Sequence, residues 1–160
     1  MFTGSYSYNL LTWRDIDVCL ILKNDPTPKI MFEIGTELSK INNIATMYYR
    51  NEYILETKGN PKGMFWCIEI MFNNQLWKVD VLVSTKIVCD EVVKPGLDII
   101  SKLTPQKRET ILEIKDILSQ DKNYRKEFRS TDIYEAVLKN KVSTLDEWKT
   151  WWNKKGKLLQ

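Results

Sequence analysis

Five residues of this chain have types and spacing that could do chemistry: Gly4, Ser5, Asp15, Asp17 and Asp80. Asp15 and Asp17 lie one residue apart at the head of the apolar run DIDVCLIL. On a strand, residues i and i+2 share a face, so the two carboxylates sit side by side. Two anions in apolar surroundings repel each other and lose hydration, and the pair is costly unless a cation sits between them. Magnesium suits such a place, because it takes hard oxygen ligands, commonly one or two carboxylates with phosphate oxygens and water. Asp80, in KVDVLV, is a third acid flanked by valines. If its strand lies beside that of Asp15 and Asp17, three carboxylates converge, as in sites that hold two metal ions about 3.5–4 Å apart. One ion there would lower the pKa of an acceptor hydroxyl and the other would hold a triphosphate. The Gly4-Ser5 pair adds a backbone that can approach a phosphate closely, together with an N–H and a hydroxyl as donors.

The composition narrows the alternatives in the same direction. The chain of 160 residues contains no histidine. Ser-His and Cys-His nucleophile pairs, histidine-ligated zinc and the commonest neutral-pH base are therefore excluded. Cys19, Cys67 and Cys89 show no CxxC spacing and each falls in an apolar run. They read as buried reduced thiols, which fits a cytoplasmic protein. No apolar stretch approaches the roughly 18 residues of a membrane span, and no signal peptide is visible at the N-terminus. The net charge is +3, with 8 basic and 9 acidic residues in 1–84 against 16 and 12 in 85–160. That mild basic excess reads as solvated helix faces rather than a nucleic-acid surface.

The elements that must position the acids follow from pattern. Asp15–Leu22 reads as a buried strand, and 28–42 as a helix with Ile30, Phe32, Ile34, Leu38 and Ile41 on its apolar stripe. Ile44–Leu55 is strand-like, and KGNPKG at 58–63 is a turn. Met64–Phe72 and Gln75–Val83 form a hairpin through Asn73-Asn74. After Ser84 the period becomes helical. Residues 86–103 form a helix that Pro95-Gly96 should kink or split. Thr104-Pro105 starts a helix with Ile111, Ile114, Ile117 and Leu118 inward, and Thr131 starts another with Ile133, Tyr134, Val137 and Leu138 inward. Thr144 to Glu147 is a capping box opening a last helix with Trp148, Trp151 and Trp152, which should pack internally or against a dimer partner. The fold class is α+β: a mixed sheet with helices on one side in residues 1–84, then a helical region, 85–160, packed on it.

Taken together and in this order, TGSYSYNLLTWRDIDVCLIL followed by KVDVLV resembles the signature of the DNA polymerase beta-like nucleotidyltransferase superfamily. The resemblance covers residues 2–84, and the small antibiotic-type and minimal bacterial members are nearest in size. It implies that Gly4 and Ser5 contact the β- and γ-phosphates of a nucleoside triphosphate. It implies that Asp15 and Asp17 ligate two magnesium ions, and that Asp80 ligates the catalytic ion and helps deprotonate an acceptor hydroxyl. The implied reaction transfers a nucleoside monophosphate to a hydroxyl of a small molecule or protein and releases pyrophosphate. Arg14 stands where relatives often carry Ser or Thr, and it could pair with Asp15 or with phosphate. Lys78 shares the strand face of Asp80 and could reach a phosphate, while Glu69 is expected as an exposed cross-strand partner.

Only Met1-Phe2-Thr3 precede Gly4, so the family's first helix and most of its first strand are absent. Either the chain is truncated, its start lies late, or a partner such as a second copy in a homodimer supplies the edge. Two other classes of function therefore stand beside catalysis: a nucleotidyltransferase-fold binding or assembly module without turnover, and an RNA-binding protein using the basic C-terminal half. Tyr48, Tyr49, Tyr124 and Tyr134 are candidates to line an acceptor pocket.

Overall fold

A computed structural model describes residues 1–158 and is α+β. The chain divides into two compact units, Met1–Leu97 and Asp98–Gln160.

The first unit is built on a five-stranded mixed sheet of order β1-β2-β5-β4-β3. Its strands are β1 (Phe2–Thr3), β2 (Asp15–Leu22), β3 (Ile44–Asn51), β4 (Met64–Phe72) and β5 (Gln75–Thr85). Only β2 and β5 run parallel; the other pairs are antiparallel. Asn73 and Asn74 both adopt positive φ, 48° and 57°, which matches the right-handed twist of a two-residue hairpin. That loop sets the β4–β5 register, with Cys67 opposite Asp80 and Glu69 opposite Lys78.

Alternation along the strands divides the sheet into two unlike faces. One face carries Met64, Trp66, Ile68, Val81 and Val83, which pack with Met31 of α2 (Pro28–Leu38). The Trp66 indole donates to the Met31 carbonyl at 2.8 Å, so its one polar atom is satisfied in the core. A Cβ on Gly35 would lie 2.4 Å from the Trp66 ring, so the glycine is there for space. Thr27 caps α2, accepting from the Ile30 amide at 3.3 Å, and Pro28 fills its first turn.

The opposite face carries Asp15, Asp17 and Asp80 at one end and Cys19, Leu82 and Phe65 at the other. The apolar end is covered by Cys89 and Val92 of α4 (Lys86–Lys102). Helices therefore lie on both sides of the sheet, not on one. The half-apolar acid face needs a cover of its own, and the first turns of α4 belong to the sheet unit.

Other boundaries differ from the expected ones for local reasons. The helix α2 ends at Leu38, short of residue 42, and buries Met31 and Gly35 with Ile34 and Leu38 alongside. That 31-34-35-38 stripe leaves Phe32 58% exposed rather than inward. The strand expected to reach Leu55 stops at Asn51, whose side chain accepts from the Tyr53 amide and opens a single helical turn, α3 (Glu52–Leu55). The buried Glu52 carboxylate of that turn is held by Arg50, Asn60 and the Thr57 amide. Burial alone would push its pKa up, but these hydrogen bonds and the guanidinium hold it below the ordinary value. The helix α4 is not split at Pro95-Gly96; it runs on to Lys102.

The second unit contains α5 (Pro105–Leu118), α6 (Ser130–Asn140) and α7 (Leu145–Leu158). Ile111, Ile114, Leu118, Ile133, Tyr134 and Val137 are buried as expected, whereas Ile117 is 53% exposed, off the 111-114-118 stripe. The capping box forms: Thr144 accepts from the Glu147 amide at 3.2 Å, and Glu147 accepts from the Ser143 amide at 2.7 Å. Trp148 is buried, stacks on Trp152 with ring centroids 5.9 Å apart and meets Phe128 edge-on at 4.9 Å. The tryptophan series thus packs within its own unit. Lys155 ties α7 to α6 through Asp132 and Glu135, at 3.0 and 2.6 Å. Among the described residues, no helix is long and apolar enough to cross a membrane.

Lys115 of α5 is fully buried and donates to the Tyr134 hydroxyl at 3.2 Å. Burial disfavours its ammonium and holds its pKa down to about 8, from an ordinary 10.5. Below pH 8 both folded and unfolded chains carry the proton, and the desolvation weighs fully on the folded state. From pH 8 to 10.5 the unfolded chain keeps a proton that the folded chain has lost, so this lysine's contribution to stability rises with pH. The thiols of Cys19 and Cys67, pushed up to about 12 and 11 by burial, act with the opposite sign above the ordinary thiol range. The lysine is therefore isolated by difference. Lys115→Met is expected to be more stable than wild type at pH 7 by roughly 1–3 kcal/mol. That gap should close between pH 8 and 10.5 in denaturant titrations, and a pH-independent gap would contradict the account.

Candidate active site

The register of β2 against β5 places the acids. Asp15 is opposite Lys78 and Asp17 is opposite Asp80. A parallel pair keeps matched residues on one face, so the three carboxylates meet on the polar end of the sheet. One oxygen of each lies within 4.8 Å of the others. The side chains of Asp15 and Asp80 are 16% and 23% exposed, so the anions are drawn together in partly desolvated surroundings.

Lys78 is placed against two of the acids. Its Nζ lies 2.5 Å from Asp80 Oδ2 and 3.7 Å from Asp15 Oδ1. The other oxygen of Asp80, Oδ1, is buried without a hydrogen-bond partner. Glu69, next to Lys78 across β4, accepts from Thr46 at 2.8 Å, the cross-strand role expected of it.

The Gly4-Ser5 segment reaches the acids through β1. Thr3 pairs with Asp17, and Gly4 follows at once with φ +63°, opening the single turn α1 (Gly4–Ser7). A Cβ at Gly4 would fall 2.0 Å from Asp17 Oδ2. Both the backbone angle and the space require glycine, and the turn's backbone lies directly against the Asp17 carboxylate. The turn is braced from behind: a Cβ on Gly96 of α4 would meet the Tyr8 ring at 2.1 Å. Burial, helped by the Asp17 charge, raises the Tyr8 pKa.

Arg14 goes elsewhere. It is exposed and donates from Nε to Gln75 Oε1 at 2.8 Å. Of the pairings open to it, the one with Asp15 is not formed among the described residues; position 14 precedes β2, and its side chain meets the start of β5 instead.

Two residues adjoin the acids that sequence reasoning did not assign to them. Thr3, Asp17, Asp80, Cys67 and Tyr48 form one row across all five strands. Burial, then the Asp80 charge, pushes the Cys67 thiol up to about 11, so it is an unreactive wall rather than a nucleophile. Tyr48 is half exposed beside it, its pKa raised first by its hydrogen bond with Cys67 and then by burial. The hairpin at Asn73-Asn74 already implied the Cys67–Asp80 pairing, whereas the alignment of Tyr48 needs the β3–β4 register.

This donor set fits magnesium. It consists of hard carboxylate oxygens, it includes a buried oxygen of Asp80 with no protein donor, and a side-chain-free backbone stands against Asp17. A groove of about 600 Å³, lined by Asn60, Lys62, Val88 and Glu91 among others, holds none of the three acids. No protein-family model matches the chain. No curated protein matches it either.

Proposed function

We propose that this protein is a magnesium-dependent nucleotidyltransferase of the DNA polymerase beta-like kind, moving a nucleoside monophosphate from a triphosphate to a hydroxyl. The observation that carries the reading is the convergence of Asp15, Asp17 and Asp80 within 4.8 Å, with the Gly4 backbone against Asp17. Magnesium held by these acids would neutralise phosphate charge and make the acceptor hydroxyl more acidic. Asp15 and Asp17 would hold the metal, and the triphosphate would be bound beside them. The Gly4 and Ser5 backbone offers N–H groups to its β- and γ-phosphates. Asp80 orients the acceptor hydroxyl and takes up its proton as the oxygen bonds to the α-phosphorus. The bond from that phosphorus to the bridging oxygen breaks in line, and pyrophosphate leaves. Such catalysis works by positioning and charge placement, and it needs no histidine.

The test is thermal unfolding and pyrophosphate release with magnesium and each of ATP, GTP, CTP and UTP. A rise in melting temperature that requires both metal and triphosphate is expected, because a ligand that binds only the folded chain stabilises it. No shift with any of the four would overturn the proposal.

One observation favours a second reading, a binding or assembly module that does not turn over. Lys78 already supplies positive charge to Asp80 and Asp15. That reading expects neither pyrophosphate release nor a metal-dependent shift.

A further inference from the structure

We propose that Lys78 is the resident counter-ion of the carboxylate cluster and that metal and nucleotide binding are coupled through its departure. The inference rests on the nucleotidyltransferase reading above.

Three carboxylates that lie within 4.8 Å of one another need positive charge among them. Lys78 is placed to give it, 2.5 Å from Asp80 Oδ2 and 3.7 Å from Asp15 Oδ1. The ammonium thus stands on oxygens that a divalent cation would also require. Asp80 Oδ1 is open to a cation, but Asp80 Oδ2 and Asp15 Oδ1 face the ammonium, so a divalent ion held by all three carboxylates stands close to Nζ and the like charges repel. Lys78 therefore opposes metal entry where it stands, and its withdrawal favours that entry.

The side chain is built to do so. Lysine is a point charge on a flexible four-carbon stem, and this one is 34% exposed. It projects from β5 on the open polar end of the acid face, with Glu69 beside it on β4. A triphosphate brought to the cluster offers the displaced ammonium new anionic oxygens. Metal without nucleotide costs Lys78 its place on Asp80, with Glu69 on the neighbouring strand and water to turn to. Metal with nucleotide gives it phosphate. Nucleotide therefore strengthens metal binding and, by reciprocity, metal strengthens nucleotide binding.

Calorimetric titration of Mn²⁺, alone and with the non-hydrolysable α,β-methylene-ATP, tests this on wild type, Lys78→Met and Lys78→Arg. Without nucleotide, Lys78→Met is expected to bind Mn²⁺ about tenfold more tightly than wild type. The factor by which the analogue tightens Mn²⁺ binding should fall toward one in that variant. Lys78→Arg, whose planar fork holds carboxylates firmly, should bind Mn²⁺ no more tightly than wild type. It serves as the reporter if the methionine variant does not fold. Equal or weaker Mn²⁺ binding by Lys78→Met, or tighter binding by Lys78→Arg, overturns the counter-ion role and leaves the metal site standing. Mn²⁺ binding by Lys78→Met but not by wild type supports the role in its strongest form. Absence of Mn²⁺ binding in wild type and both variants removes the metal site, and the coupling with it.

Discussion

Asp80→Asn is expected to lower pyrophosphate release at least a thousandfold while leaving the fold intact. The substitution keeps the shape of the side chain and removes its charge. The amide can neither take up the acceptor proton nor complete the carboxylate set. Loss of one preorganised electrostatic group typically costs about 10²–10³ in rate, and Asp80 is assigned two roles in the same step. Stability should move the other way. Asp80 stands with Asp15 and Asp17 in one cluster, and Lys78 is placed against it as an ion-pair partner. Neutralising one of three crowded anions relieves repulsion, and Lys78 loses its charge pairing with Asp80 while still facing Asp15 at 3.7 Å. The melting temperature of Asp80→Asn without metal should therefore match or exceed that of wild type, and the increase seen with magnesium and triphosphate should vanish. A variant that keeps more than a tenth of the turnover would show that Asp80 is not at the reacting centre.

Gly4→Ala is expected to be the most damaging single methyl addition in the site. At φ +63° any L side chain is strained, by about 1–2 kcal/mol. The new Cβ would also stand 2.0 Å from Asp17 Oδ2. A carboxylate can rotate aside, so the loss of stability should stay near the strain alone, about 2 kcal/mol. Function has less room. A displacement of about 1 Å in a positioned group can cost on the order of 10²-fold in rate. The expected result is a modest fall in melting temperature joined to a roughly hundredfold fall in pyrophosphate release. Gly59→Ala is the control. Gly59 has φ +88° but nothing within 4 Å of its would-be Cβ, so that change should cost strain and spare turnover. If the two variants lose activity equally, the contact between Gly4 and Asp17 does not matter to function.

The candidate site was legible to the extent that it depends on local pattern. Asp15 and Asp17 share a face because a strand has a period of two, and the valines around Asp80 announced a second buried strand. Asn73-Asn74 marked the hairpin, and the β4–β5 register it sets pairs Lys78 with Glu69 and Asp80 with Cys67. The α+β class followed from the order of strand and helix patterns, and the helix starts at Thr104 and Thr144 from caps and a proline. Local pattern misled where a tertiary partner chose between near-equal options. Phe32 reads as apolar and inward, yet the stripe that Trp66 selects runs through Met31 and Gly35. Pro95-Gly96 reads as a break, yet α4 continues through it, with Gly96 seating the Tyr8 ring.

By itself, then, the sequence determined which chemistry is open to this protein. Without histidine or a cysteine motif, it excludes histidine-based catalysis and a cysteine-built zinc site, and it sets Asp15 and Asp17 on a strand whose alternation aims them one way. Only the tertiary structure decided that the acids meet, because the parallel pairing of β2 with β5 joins segments more than fifty residues apart and no local signal sets its register. The same pairing decided that Lys78 faces Asp15 as well as Asp80, that Arg14 does not, and that Gly4 is pressed against Asp17 through β1. Spacing along the chain can place two residues on one face, but bringing separate strands edge to edge depends on long-range backbone hydrogen bonds and on the core beneath them.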